Sequence, residues 1–317
     1  VSTRAARNKN RVSMASLSPN FLHVLSDIQK KYGPICRQAT GHSDPRRIST
    51  GVFQIDRVLG GGLPLNRVTL ICGQKASFKT TMALKVVKHF FECCGHCLIL
   101  REQCQCSGGP MSSYCVYIDV EHALDEAYLE RLQVDPKRFY ILRPPHGEAA
   151  CEYAEKFARA DEVGMVVVDS LAALGSSAEL EAGYFDSQTR AQRAKLIARL
   201  FRALITHFDG TKPRLGIMLN HLMPNVNGRP GTYLPGGVEQ RYLSSVILQL
   251  WTMDKSKSRI NLEEIPEDEA KLDAVGADGE KARKSDVGFL VEHSKVSPEN
   301  VAGEFNLYTR GDPSKGI

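Results

Sequence analysis

The sequence predicts an α/β fold, a mostly parallel β-sheet with helices on both faces, preceded by an N-terminal helical arm. Three observations lead to it. Short apolar runs alternate with segments of helical periodicity, the pattern of strand–helix–strand units. The segment Gly73 to Thr81 joins one apolar run directly to a helical segment and ends in Lys-Thr-Thr. A second run, Met165-Val-Val-Val-Asp169, ends in a carboxylate, and sheets of this class place ligands at the C-terminal ends of their strands.

The arm comes first. Residues 1–47 hold nine Lys/Arg against Asp27 and Asp44, a net of +7 in a chain whose total is +5. Residues 1–20 read as a basic flexible tail and 21–47 as an oligomerisation helix with its linker. Leu22, Val24, Leu25, Ile28 and Tyr32 recur at helical spacing and stop at Gly33-Pro34. A basic arm on a near-neutral body suits a polyanion, with a solvated tail as the plain alternative. The first twenty residues lack the apolar stretch of a secretory signal. Their Arg/Ser-rich, acid-free composition also fits an organelle transit peptide, a minor alternative to the cytoplasm. No apolar run approaches the ~20 residues of a membrane span. With 42% hydrophobic and 24% charged residues among 317, the chain has material for an ordinary core, which excludes wholesale disorder.

The core is expected over 48–317. Strands are predicted at Val68–Cys72, Cys115–Asp119, Met165–Asp169, Leu215–Asn220 and Ser245–Trp251, with helices near 80–92, 125–133, 148–161 and 189–208. Helix 189–208 sets Leu196, Ile197, Leu200, Phe201, Leu204, Ile205 and Phe208 on one side and Arg193, Lys195, Arg199 and Arg202 on the other. Residues 254–284 are charged and aperiodic, hence a loop. Residues 287–309 return to a β pattern and should close the sheet.

Gly73-Gln-Lys-Ala-Ser77-Phe78-Lys79-Thr80-Thr81 follows a strand and opens a helix. This is the context of a P-loop, in which backbone N–H groups and a helix N-terminus face phosphates. Lys79 would neutralise β- and γ-phosphate oxygens and Thr80 would coordinate Mg²⁺. Phe78 stands where a second glycine is expected. Asp169 would hold Mg²⁺ through water. Glu121, just past the tip of the strand Cys115–Asp119, is placed to act on the water that attacks ATP.

Four further segments carry a family resemblance: Ile48-Ser-Thr-Gly51, Leu59-Gly-Gly-Gly-Leu-Pro64, Ile118-Asp-Val-Glu-His-Ala-Leu-Asp125 and Val167-Val-Asp-Ser-Leu-Ala-Ala-Leu174. In order and spacing they resemble the RecA recombinases over nearly the whole chain. Ser77-Phe78-Lys79 and Leu219-Asn220-His221 look more like the phage branch, the UvsX recombinases. The resemblance implies a RecA-like P-loop ATPase core, with Glu121 as catalytic glutamate and Asp125 and Tyr128 against adenine. His221 stands where the family has a glutamine that senses the γ-phosphate. It also implies DNA-binding loops at 179–187 and 222–237, the latter with Arg229, Gly236 and Gly237, and basic helix positions near DNA at Lys195 and Arg202. The family's pair of lysines that act across a subunit interface falls at His293 and Lys295, so only Lys295 keeps the fixed charge. Against the resemblance, the sequence stops soon after the expected core, so the small C-terminal domain of bacterial RecA is not expected within it, whether the protein is naturally short or truncated.

One cluster has no counterpart in that family. Six of the nine cysteines lie between Cys93 and Cys115. Cys94-x-x-Cys97 and Cys104-x-Cys106, in an insertion over about 92–114, have the spacing of two chelating turns for structural Zn²⁺. Cys93, His96 and Cys115 are spare candidates; free thiols or a redox-sensitive pair are the alternative.

The expected function is therefore a DNA-dependent ATPase that forms helical filaments on single-stranded DNA and promotes strand exchange in recombination and repair. ATP and Mg²⁺ are its cofactors. Its partners are single- and double-stranded DNA, further copies of itself, and single-strand-binding and loader proteins. The alternative is an ATP-binding DNA-coating or regulatory paralogue with weak hydrolysis, which Phe78, His221 and His293 favour.

Overall fold

A computed structural model describes residues 18–32, 46–109, 111–175, 177, 189–208, 212–225, 231–253 and 283–309. The basic tail to residue 17, the linker 33–45, the loop 179–187, Arg229 and the charged stretch 254–282 lie outside the described residues. Contacts divide the chain into two units, with the boundary between Pro45 and Arg46.

The first unit contains helix α1 (Pro19–Tyr32). The Ser18 hydroxyl accepts the Phe21 amide at 3.3 Å and caps its start. Lys30 and Lys31 lie in its last turn, where positive charge complements the helix dipole. Phe21, Leu22, Val24 and Ile28 are exposed.

The second unit opens with β1 (Arg47–Ile48) and β2 (Leu63–Pro64), paired antiparallel around α2 (Phe53–Val58). Two of the recognised segments have local physical reasons here. The Asp56 carboxylate accepts the Ser49 hydroxyl at 2.5 Å and both the amide and hydroxyl of Thr50 at 2.8 Å. Gly62, at φ +115°, passes the Ile48 carbonyl so closely that a Cβ would sit 2.0 Å from its oxygen. No side chain fits there.

The chain then runs through β3 (Arg67–Gly73), α3 (Lys79–Glu92), β4 (Tyr114–Asp119), α4 (Glu126–Arg131), β5 (Phe139–Leu142), α5 (Gly147–Arg159) and β6 (Val163–Asp169). It continues through α6 (Thr189–His207), β7 (Leu215–His221), β8 (Met223–Pro224), β9 (Thr232–Tyr233), α7 (Glu239–Leu243), β10 (Val246–Thr252), β11 (Arg283–Ser294) and β12 (Val301–Thr309). The main sheet has the order β12-β11-β10-β3-β7-β6-β4-β5. Strands β10 through β5 run parallel, and β11 and β12 add an antiparallel edge.

Alternation along each parallel strand divides the core between the two faces. On β6, Met165 and Val167 face α3 with Met82, Val86 and Phe90, whereas Val166 and Val168 face α5 and α6 with Ala154, Ile197, Phe201 and Leu204. Each such large side chain contributes about 1.5–3 kcal/mol on burial.

Several boundaries differ from the sequence reading. Residues 283–284, expected in the charged loop, begin β11. Arg47, expected in the linker, belongs to β1 and hence to the core unit. Helix α4 is shorter than 125–133, because Asp125 is its N-cap: its carboxylate accepts the Ala127 amide at 3.0 Å. Strand β5 was not anticipated.

Candidate functional site

The parallel strands end at one edge of the sheet, and β3, β4, β6 and β7 deliver the candidate site there. Register places Gly73 level with His221 and Asp119 level with Asp169. At the end of β3 the loop doubles back over its own lysine. The Lys79 ammonium donates to the Gly73 carbonyl at 3.2 Å, the Gln74 carbonyl at 2.8 Å and the Ser77 hydroxyl at 3.4 Å. Burial lowers its pKa, and the charges of Asp169 and Glu121 oppose that shift. Gly73 has no room for a side chain, since a Cβ would lie 2.3 Å from both the Leu250 carbonyl and Ser77 Oγ.

Phe78 immediately precedes α3 in the left-handed region, at φ 63° and ψ 23°. The conformation that suits glycine is kept, although for a residue with a side chain it costs about 1–2 kcal/mol. The ring is buried in the core on the α3 face, which offsets that strain.

The Thr80 hydroxyl donates to Asp169 Oδ2 at 2.8 Å, and the Tyr117 hydroxyl donates to the same oxygen at 2.5 Å. Burial raises the Asp169 carboxyl above its ordinary pKa, and these two donors counter the rise. A hydroxyl and a carboxylate in contact offer the hard oxygens that Mg²⁺ takes. Thr81 faces the other way, with its hydroxyl 2.8 Å from that of Tyr128. Arg131 lies over the Tyr128 ring at 5.6 Å and pairs with Asp125 at 3.6 Å. Asp125 and Tyr128 are thus grouped beside the P-loop helix.

Glu121 is held from three directions. Its amide donates to the Asp169 carbonyl at 3.3 Å, its carboxylate accepts the Ser170 hydroxyl, and His221 Nε2 lies 2.9 Å from Oε1. The His221 hydrogen bond leads the effects that hold its carboxyl below the usual glutamate range. Glu121 is therefore ionised at neutral pH, as a water-activating base requires.

His221 also ends β7 and immediately precedes the 222–237 segment. Met223–Pro224 pairs with Thr232–Tyr233 as a short antiparallel ribbon. Below it, the buried Asn220 amide donates to the Pro235 carbonyl at 2.9 Å and to Gln240 Oε1 at 2.8 Å. Gln240 in turn donates to the carbonyls of Pro235 and Gly237, at 2.6 and 2.9 Å. One polar network thus ties both ends of the segment to β7. Gly236 and Gly237 have φ of +96° and +83°, and Cβ atoms there would meet Ile197 at 2.2 Å and Ala194 at 3.0 Å. Their close approach is to α6, and that packing accounts for both glycines. On the same helix Lys195 is exposed and Arg202 forms an ion pair with Glu239.

His293 and Lys295 lie away from this group. Ser294 is level with Val246 and Thr69, four residues before Gly73 on β3, which is about 13 Å along the strands. There the Lys295 ammonium donates to the Tyr242 carbonyl at 2.7 Å, and His293 Nδ1 lies 2.9 Å from Glu299. Neither is near the P-loop of its own chain.

Three contributors escaped the sequence reading: Tyr117, the Asn220–Gln240 pair, and Asp119. The buried Asp119 carboxylate accepts the amides of Ala123 and Leu124 at 3.1 and 3.2 Å and Arg143 Nε at 3.3 Å, fixing the turn that carries Glu121. For Tyr117, Asp119 and Asn220 the only signal in sequence was a polar group inside an apolar run; Gln240, between Glu239 and Arg241, carried none.

At the other end of the sheet, between α3 and β4, the sulfurs of Cys94, Cys97, Cys104 and Cys106 all lie within 4.8 Å of one another. Cys115 is buried in β4 and supplies no sulfur to that group, and neither Cys93 nor the His96 ring contributes a ligand atom to it.

A parallel sheet with a P-loop after one strand, and carboxylates at the tips of two others, defines an α/β protein of the P-loop nucleotide-binding class. The family model described as RecA N-terminal domain matches residues 20–275. Protein RecA from Staphylococcus aureus strains JH9 and Newman is 33% identical over 241 residues, covering 74% of this chain and 63% of those proteins. The chain belongs to the RecA family. It spans 63% of the length of these curated relatives.

Proposed function

We propose that the chain is a DNA-dependent ATPase that assembles as a filament on single-stranded DNA and promotes strand exchange in recombination and repair. The observation that carries this reading is the 2.9 Å contact between Glu121 and His221. It joins the base at the nucleotide end directly to the residue that immediately precedes the 222–237 segment. A shift of His221 on γ-phosphate binding would move that segment, and DNA seated on the segment would in turn bias Glu121. Coupling of this kind has to act equally in both directions for binding.

In the proposed reaction Lys79 and the P-loop amides hold the β- and γ-phosphates, and Thr80 and Asp169 hold Mg²⁺. The metal would neutralise the charge that develops as the bond to the γ-phosphoryl group breaks. Glu121 takes the proton of the attacking water, and ADP leaves with the bridging oxygen. Asp125 and Tyr128 flank adenine. Lys295, which follows a residue level with Thr69, about 13 Å back along the strands from Gly73, serves a neighbour's nucleotide instead. The exposed apolar residues of α1 suit docking on an adjacent copy. Lys195, Arg202, Arg229, Gly236 and Gly237 complete the DNA-facing set, and single-strand-binding and loader proteins are further partners. Kinship with the phage branch belongs to the same proposal and rests on Phe78 and His221. Among the described residues no helix is long and apolar enough to cross a membrane. The proposed site of action is the cytoplasm, a bacterial host's if the chain is phage-encoded, with an organelle as the minor alternative.

The weak-hydrolysis alternative is favoured by His293, which replaces one of two fixed charges and is engaged with Glu299. One assay decides between them. ATP turnover that rises steeply on adding single-stranded DNA supports the ATPase. Binding of ATP and DNA with turnover that DNA does not change supports the coating protein.

A further inference from the structure

The connection from α3 to β4 has little means of folding by itself. Among the described residues of 93–113, only Cys93, Cys94 and Met111 are buried apolar positions, with Leu98 and Leu100 partly packed on the main core. Its backbone is nevertheless closely organised. The Cys94 amide donates to Ile99, Leu98 to Cys94, Gly95 to Gly109 and Met111 to Cys93, all between 2.9 and 3.0 Å. A stretch this polar needs something besides apolar burial to hold that shape.

The four sulfurs at its centre supply the reason. Cys94 and Cys106 are 3.3 Å apart, Cys97 and Cys104 3.3 Å, Cys104 and Cys106 3.1 Å, and Cys97 and Cys106 3.7 Å. Zn–S bonds near 2.3 Å in a regular tetrahedron put sulfurs about 3.8 Å apart. The cluster is close to that size, only slightly contracted, and all four thiols are free.

The surroundings match a thiolate site. The His96 amide donates to Cys94 Sγ and the Gly108 amide to Cys106 Sγ, both at 3.4 Å and both two residues on from the cysteine. Arg101 reaches Cys104 Sγ at 3.7 Å and the Gly108 carbonyl at 2.7 Å. Such donors disperse charge on metal-bound sulfur and orient it. Gly108 closes the cradle: a Cβ there would lie 2.9 Å from Cys94 Sγ and 3.2 Å from Cys106 Sγ.

We infer that Cys94, Cys97, Cys104 and Cys106 bind one Zn²⁺, which folds the α3–β4 connection and ties the end of the P-loop helix to the start of the strand leading to Glu121. Four protein sulfurs complete a tetrahedral shell and leave no position for substrate, so the ion is structural. Four sulfurs also suit a single iron. Zinc is favoured because nothing at this end of the sheet calls for a redox step.

The test uses the full chain purified without chelators. Elemental analysis should find about one zinc per chain and no stoichiometric iron. Alkylation followed by peptide mass spectrometry should find Cys94, Cys97, Cys104 and Cys106 protected, and reactive once a chelator has removed the metal. C104S/C106S should lose the zinc. Should that variant fail to fold, Co²⁺ exchanged into the native chain should give the absorption of a tetrahedral four-thiolate site. Absence of metal, stoichiometric iron, zinc retained by C104S/C106S, or alkylation unaffected by chelator would each overturn the inference. None of these readouts depends on ATP or DNA, so the inference stands or falls apart from the proposed ATPase.

Discussion

Two ends of one sheet carry chemistry in this molecule, and they are assembled in opposite ways. At the C-terminal tips Lys79, Thr80, Glu121, Asp169 and His221 come from four strand ends far apart in sequence; Lys79 is held by its own loop, and the other four by neighbours from another strand. At the N-terminal end four cysteines come from one short stretch, and two of them, Cys94 and Cys106, accept amides two residues away. The first group exists only once the sheet has formed, because strand register places Asp119 beside Asp169 and Gly73 beside His221. The second needs only its own loop and an ion. Damage at one end should therefore leave the other working.

The sharpest separation comes from Lys79→Ala, which removes the P-loop's fixed charge. ATP-dependent filament formation should be abolished, as seen by electron microscopy on single-stranded DNA, while metal content stays unchanged. Glu121→Gln should keep nucleotide binding and slow steady-state turnover by about 10²–10⁴, the range for a lost general base. Unchanged turnover would remove Glu121 from the proposed reaction. Lys295→Ala should reduce turnover on DNA and leave nucleotide affinity of the unassembled protein unaltered, because its own P-loop is out of reach.

Tyr117→Phe is a smaller change with a specific readout. Losing a hydroxyl that donates to a buried carboxylate should raise the Mg²⁺ concentration for half-maximal activity, by up to about tenfold. Nucleotide affinity without metal should not move. The smallest effect is on pH. The His221 hydrogen bond lowers the Glu121 pKa, so the base form persists above that lowered value and is lost as pH falls through it. In His221→Ala the pKa rises, and the acid limb of the turnover profile should shift to higher pH. An unmoved limb would mean that His221 does not act on Glu121.

The two ends also differ in how far they could be read from the sequence. The cysteine set was legible because both chelating pairs are local, and spacing alone selected Cys94, Cys97, Cys104 and Cys106 over Cys93 and Cys115. The P-loop and the apolar strands were legible for the same reason. Strand β5 was not: it has four residues, lies on the sheet edge and buries only Phe139, so neither length nor alternation marks it. Tyr117 reads as one more apolar strand residue until register sets β4 beside β6 and its hydroxyl against Asp169. Asn220 and Gln240 are twenty residues apart, and nothing local pairs them. Gly236 and Gly237 carry a cause that is equally invisible locally, since the space a side chain would need at each is taken by α6.

The account turns on a nucleotide site at the strand tips that a neighbouring copy completes. Its most direct test is a structure of the chain on single-stranded DNA with a non-hydrolysable ATP analogue and Mg²⁺. The γ-phosphate should lie between Lys79 of one subunit and Lys295 of the next, with Thr80 and Asp169 at the metal and DNA along 222–237. A filament with Lys295 distant from every nucleotide, or nucleotide bound away from Lys79, would contradict it.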